Sequence, residues 1–147
     1  MRISVIGGGE IDDATASIAA AVGREVAARG HTLICGGLGG VMAAACRGAR
    51  ANDGETMGIL PGTDPDEANE FVQQPIVTGL GDARNLLVVL NGDGVIAVDG
   101  GGGTVSELGY AAVYDRPVAG LGTFDLPWIQ SVEVPREAVK YVESAVS

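Results

Sequence analysis

Lysine is almost missing from this chain: Lys140 is the only one among nine basic residues, and the rest are arginine. Aromatic residues are also scarce, at 4%, so a core has to be built from Ala, Val, Ile and Leu. The 46% hydrophobic content of the 147 residues is sufficient for one domain spanning the chain. Cysteine is limited to Cys35 and Cys46, with no CxxC. That excludes a disulfide scaffold and reads as reduced thiols of a cytoplasmic protein. No apolar run approaches the roughly 20 residues of a membrane span, and the first ten residues are broken by Gly7, Gly8 and Gly9, unlike a signal peptide. Basic charge is in deficit: 19 acids leave a net charge of −10, with no basic patch to hold a nucleic acid. Such a surface suits a high-salt, halophilic cytoplasm, and stability should then rise with salt.

Several signatures are missing too. Gly7-Gly8-Gly9 is not GxGxxG, and the second strand ends at Cys35 where a ribose-binding acid would stand, so a dinucleotide cofactor is not expected. There is no GxxxxGK[ST] phosphate loop, no GxSxG elbow and no His/Cys/acid cluster with metal spacing. His31 stands alone after a helix stop and reads as a surface turn residue.

Glycine, by contrast, is abundant and clustered, with 24 residues. The clusters end apolar β-rich runs. Strands are expected at Arg2–Ile6, Thr32–Cys35, Thr56–Leu60, Pro75–Thr78, Gly94–Val98 and Pro117–Leu121, with a short edge strand near Ser131–Val134. Between them lie helical patterns. The first is capped by Asp12 or Asp13 and turns Ile11, Ile18, Val22 and Val26 inward. The second covers Val41–Ala51, and the third, capped by Asp82, is apolar all round and should be buried. A fourth runs to about Tyr114 and a last one opens at Pro135. Strand and helix alternate throughout, which predicts a doubly wound, Rossmann-like α/β fold with a parallel sheet of six to seven strands.

In such a sheet the strand C-termini share one edge, where ligands bind at the switch point in strand order. Gly7–Gly9, Gly36–Gly40, Gly79–Asn85 and Asp99–Glu107 all fall there, each before a helix. Backbone amides and helix N-termini attract phosphate. Tight βα turns alone would also use glycine. Candidate ligand contacts are Gly8, Gly9, Gly37, Gly39, Gly40, Met42, Asn85, Asp99, Gly100, Gly101, Gly102, Gly103 and Thr104. Arg84 stands in a first helical turn, against the macrodipole, which a bound anion or a nearby carboxylate would offset. Glu107 has two readings. With Thr104 it matches the capping box S/T-x-x-E; alternatively it is a carboxylate beside bound phosphate, able to act as a base or to stabilise an oxocarbenium-like ribose. The loops Thr63–Asn69 and Gly122–Trp128 could shape either a pocket or an interface.

The run from Asp99 to Glu107 resembles the PGGxGTxxE motif of the LONELY GUY phosphoribohydrolase family, long labelled lysine decarboxylase-like. Gly36–Gly40 with Val41 and Met42 resembles its GGxxGxM turn, and Gly81–Asn85 stands where that family carries its catalytic arginine. Within the superfamily the chain is most similar to the molybdenum cofactor carrier branch, which shows GGGxGTxSE and an Ala-Arg-Asn segment. Asp99 in place of proline, and Ala83-Arg84-Asn85 in place of a Glu-Arg-Lys type, depart from the hydrolases. The resemblance implies an Arg84/Glu107 pair for phosphoribosyl chemistry and a phosphate site on Gly101–Thr104. It also implies a homo-oligomer, dimer or tetramer, with the molybdenum cofactor as cargo and no other cofactor required. Two functions follow as expectations: a carrier or sensor of a small phosphorylated pterin or nucleotide, and a hydrolase of nucleoside 5′-monophosphates. A pyridoxal decarboxylase is excluded on chemistry, because Lys140, the only lysine, lies in the last helix, far from the glycine edge.

Overall fold

A computed structural model describes residues 1–147. Seven strands form one wholly parallel sheet: β1 (Arg2–Gly7), β2 (Thr32–Cys35), β3 (Thr56–Leu60), β4 (Gln74–Val77), β5 (Gly94–Val98), β6 (Val118–Leu121) and β7 (Ile129–Ser131). Their order is β4-β3-β2-β1-β5-β6-β7, so the chain runs outward from β1 on one side and restarts at β5 on the other. The switch point is therefore the β1/β5 seam, where Ile3 pairs with Gly94 and Gly7 with Val98. The expected doubly wound α/β architecture is what the chain adopts.

Alternation along the central strands divides the core. Ile3, Val5, Leu33, Cys35, Ile96 and Val98 face one layer; Ile6, Ile34, Val95 and Ala97 face the other. The first layer holds α1 (Asp13–Ala28), α2 (Val41–Ala51) and α5 (Pro135–Val146), the second α3 (Asn85–Leu90) and α4 (Gly102–Val113). Central strands buried on both faces read as continuous apolar runs, which is why β5 was legible.

Helix α1 starts where its cap says it should: the Asp12 carboxylate accepts from the Thr15 amide at 2.8 Å. Val22 and Val26 are fully buried, but Ile18, expected inside, is 40% exposed. Helices α1 and α2 approach so closely that glycine is required at their crossing. A Cβ on Gly48 would lie 1.9 Å from the Ala20 carbonyl oxygen, and one on Gly23 1.9 Å from that of Ala45. Gly48→Ala should destabilise the protein by about 3 kcal/mol or more, read as a shifted midpoint in urea unfolding. A midpoint like that of the unaltered protein would contradict this packing.

Three expectations are corrected. The segment Gly81–Arg84 is a short 3₁₀ turn that Asp82 does not cap, and α3 begins only at Asn85. Within α3, Val88 and Val89 are buried in the core cluster shared with α4, whereas Leu86, Leu87 and Leu90 are half-buried, since α4 is the one long helix packed against α3. His31 is not a free turn residue. Its Nε2 lies 2.7 Å from Glu143 and its Nδ1 3.1 Å from the N-terminal amine, and with Arg29 it ties α5 to the start of the sheet. Those contacts, Arg29 first and His31 second, hold the Glu143 carboxyl down at about 2. Cys35 and Cys46 are free, buried thiols 3.5 Å apart. No helix is long and apolar enough to cross a membrane.

Candidate ligand site at the strand switch point

A cavity of about 240 Å³ opens at the C-terminal end of the β1/β5 seam. Its floor is Val5 and Ile6 of β1, and Gly7–Gly9 carry the chain over it. Gly36 and Met42 close the β2 side, Asp82, Arg84 and Asn85 the entry to α3, and Gly101–Thr104 with Glu107 the start of α4. The bound of the sheet at this seam explains why Gly7 cannot carry a side chain: its Cβ would stand 2.1 Å from the Val98 carbonyl oxygen.

Helix α4 presents the first chemical feature. Its N-cap is Gly101, and the first intrahelical bond runs from the Val105 amide to the Gly101 carbonyl. The amides of Gly102, Gly103 and Thr104 therefore have no partner within the helix, as at any helix start. They border the cavity, at the positive end of the helix dipole. This register overturns the capping reading of Glu107. Thr104 itself occupies the third helical position, and its hydroxyl accepts from the Gly101 amide at 3.1 Å. Glu107 lies one turn further on, 8% exposed, with no hydrogen bond to the protein and its carboxyl among the cavity walls.

Arg84 is the second feature. It is 7% exposed and makes no ion pair; the only ion pairs join Arg29 and His31 to Glu143. Its guanidinium is instead oriented by neutral acceptors. Nε donates to the Ile59 carbonyl at 2.9 Å, Nη2 to the Gly36 carbonyl at 3.4 Å, and Nη1 to the Asn85 side-chain oxygen. N–H groups remain on both terminal nitrogens. No other basic side chain lines the cavity. Burial raises the Glu107 pKa to about 7, and the Arg84 charge partly opposes that rise. The cavity thus brings together one buried cation, Arg84, and two carboxyls, the exposed Asp82 at the entry to α3 and the buried Glu107, whose pKa burial has raised.

The remaining sequence candidates divide. Gly8, Gly9, Met42, Asn85, Gly101, Gly102, Gly103 and Thr104 line the cavity with Arg84 and Glu107. Gly37, Gly39, Gly40, Asp99 and Gly100 do not. Gly37 adopts a φ of +82° and packs on Leu60; Gly40, at +63°, presses against the backbone of Gly8 and Gly9. These two shape the turn, and Gly39 lies between them, where a Cβ would be 3.6 Å from the Gly9 carbonyl oxygen. Asp99, also left-handed at φ +55°, and Gly100 border a separate crevice with Gly122, Thr123 and Phe124. The loop Thr63–Asn69 is latched to the same β2–α2 turn, with the Asn69 amide on the Gly37 carbonyl at 2.9 Å. Trp128 is held by its indole N–H on the Leu108 carbonyl at 2.9 Å, and neither loop reaches the cavity.

Sequence reasoning put Gly36, Asp82 and Ser106 within the segments at the ligand edge but did not single them out as site residues. Gly36 is the first residue past β2, and a Cβ there would come within 2.9 Å of Arg84 Nη2, so its bare backbone makes room for the guanidinium. Its place at a strand end was the available signal. Lys140 is exposed on α5 and does not line the cavity.

Known proteins of the same shape carry the resemblance further. A molybdenum cofactor binding protein from Rippkaea orientalis superposes with a TM-score of 0.93 at 33% identity, covering 99% of this chain and 97% of that one. The molybdenum cofactor carrier protein of Chlamydomonas reinhardtii gives 0.89 at 32% identity, with 99% and 98% covered. A cytokinin riboside 5′-monophosphate phosphoribohydrolase of Mycobacterium tuberculosis is 35% identical over 111 residues, which is 69% of this chain but only 59% of that protein. The superfamily expected from the glycine motifs is thus the right one, and molybdenum cofactor carrier proteins are among the structural neighbours. The SLOG cluster4 family matches residues 1–146, and the chain belongs to that family.

Proposed function

We propose that this protein binds a small phosphorylated heterocycle, the molybdenum cofactor or a related pterin or nucleotide, and serves as its carrier. The observation that carries this reading is the opposition of unpartnered α4 amides to the buried, unpaired Arg84 across one cavity. Phosphate satisfies both sides at once. At about 240 Å³ the cavity falls below the range of roughly 300–1,000 Å³ usual for whole ligands, so it takes the phosphate end and leaves the ring system toward the mouth. What the Rippkaea and Chlamydomonas proteins bind supports the pterin choice. Calorimetry with molybdopterin, a nucleoside 5′-monophosphate panel and the same compounds without phosphate tests the reading. The phosphorylated members should bind and the others should not. Equal affinity for both sets, or none for either, would overturn it.

One observation favours a second reading, nucleoside 5′-monophosphate hydrolysis. Glu107 is buried, unpaired and poised near pH 7, which is what a general base or an oxocarbenium partner requires. Base released on incubation with the monophosphate panel would support it; silence from every member would remove it.

A further inference from the structure

Asn85 faces the cavity, yet its amide is already committed on both sides. Its side-chain oxygen accepts from Arg84 Nη1, while its Nδ2 donates to Ser106 Oγ at 3.1 Å and lies 3.5 Å from the Gly103 carbonyl oxygen. Ser106 completes the chain by donating to that same carbonyl at 2.7 Å. Asn85 is only 5% exposed, so water does not compete for these bonds. An unbroken line of neutral groups therefore runs from the guanidinium through Asn85 and Ser106 to the first turn of α4, where the free amides lie.

We infer that Asn85 and Ser106 are positioning residues, which hold Arg84 at a fixed place relative to the α4 amides without neutralising its charge. The inference rests on the phosphate-binding reading above and departs from the expectation that Asn85 contacts ligand. The choice of amide is what matters. An aspartate of the same shape would accept the same Nη1 bond, but as a carboxylate it would pair with the guanidinium and cancel the charge a ligand needs. It would also give up the donor that reaches Ser106. The remaining Arg84 anchors, the Ile59 and Gly36 carbonyls, belong to the β2/β3 side. Among the hydrogen bonds, the Asn85–Ser106 line is the one that joins that side to α4, across the seam where phosphate would bridge.

The test uses adenosine 5′-monophosphate and inorganic phosphate as probes, with Asn85→Asp, Asn85→Ala, Ser106→Ala and Ser106→Thr. Asn85→Asp should lower affinity at least tenfold, and more than Asn85→Ala does, because it adds an opposing charge as well as breaking the line. Ser106→Ala should lose a few-fold, and Ser106→Thr, which keeps the hydroxyl, should recover it. A second readout needs no ligand: in nitrogen NMR of the free protein, rotation of the Arg84 guanidinium should be slow in the unaltered chain and fast in Asn85→Ala and Ser106→Ala. Unchanged Arg84 signals in both variants, or Asn85→Asp binding as well as the unaltered protein, would overturn the inference. Failure of the unaltered protein to bind either probe, with the Arg84 signals responding as stated, would instead count against the phosphate reading.

Discussion

Arg84→Ala is expected to lower affinity for a phosphorylated ligand by about 100-fold or more, the scale of losing a desolvated, hydrogen-bonded charge partner. No other cation lines the cavity, so nothing takes over the role. The guanidinium also serves three neutral acceptors: the Ile59 and Gly36 carbonyls and the Asn85 oxygen. Its loss therefore loosens the β2 and β3 ends as well. Arg84→Lys separates the two effects. A lysine keeps the sign of the charge but reaches fewer acceptors, since its ammonium is a point and not a planar fork. It should recover part of the binding. Calorimetry with a nucleoside 5′-monophosphate, alongside thermal unfolding of each variant, reads both. Arg84→Ala that folds and binds like the unaltered protein would remove Arg84 from the site.

Glu107→Gln should change the pH dependence of both stability and binding. In the folded protein this carboxyl titrates at about 7, against 4.5 for an ordinary glutamate. Between those values the folded state keeps a proton that the unfolded state has released. Its contribution is thus complete below 4.5, declines as pH rises, and is gone above 7. One pKa unit corresponds to about 1.4 kcal/mol, so the decline amounts to about 3 kcal/mol. Glutamine never ionises, and Glu107→Gln should be more stable than the unaltered protein at pH 8 by a similar amount, with the advantage fading toward pH 5. Binding follows the same group. Above pH 7 the carboxylate repels a phosphate, and affinity should fall by about tenfold between pH 6 and 8, a fall the glutamine variant lacks. If Glu107 also performs hydrolysis, Glu107→Gln should slow base release by about 10²–10⁴-fold. Parallel pH profiles for the two proteins would show that Glu107 does not titrate in the cavity.

The arrangement was legible in the sequence to different depths. Apolar runs ended by glycine placed β1, β2, β3 and β5 within a residue, since a strand buried on both faces must be apolar throughout. Of the edge strands, β4 was placed within a residue although every residue of it is exposed, whereas β7 was expected two residues late. The cavity was legible only as a set of strand ends. Which glycine of Gly36–Gly40 faces it depends on the path of the turn, and the left-handed residues Gly37 and Gly40 leave Gly36 as the one at the wall. Glu107 shows the limit most clearly. Spacing alone fitted a capping box with Thr104, but the helix begins three residues earlier than that box requires, because Gly101 can act as cap without a side chain. A shift of one turn carries Glu107 from the helix rim into the cavity. Asn85–Ser106 was invisible, as nothing in a sequence says that residues 21 apart share a hydrogen bond.

A nitrogen–proton NMR titration of the protein with a nucleoside 5′-monophosphate examines the switch-point cavity residue by residue. The amides of Gly101–Thr104, those of Gly8 and Gly9, and the Arg84 Nε–H should shift together with one saturation curve. Shifts gathered instead around Asp99, Gly122 and Phe124, or a spectrum that does not respond, would place the phosphate elsewhere and contradict the account.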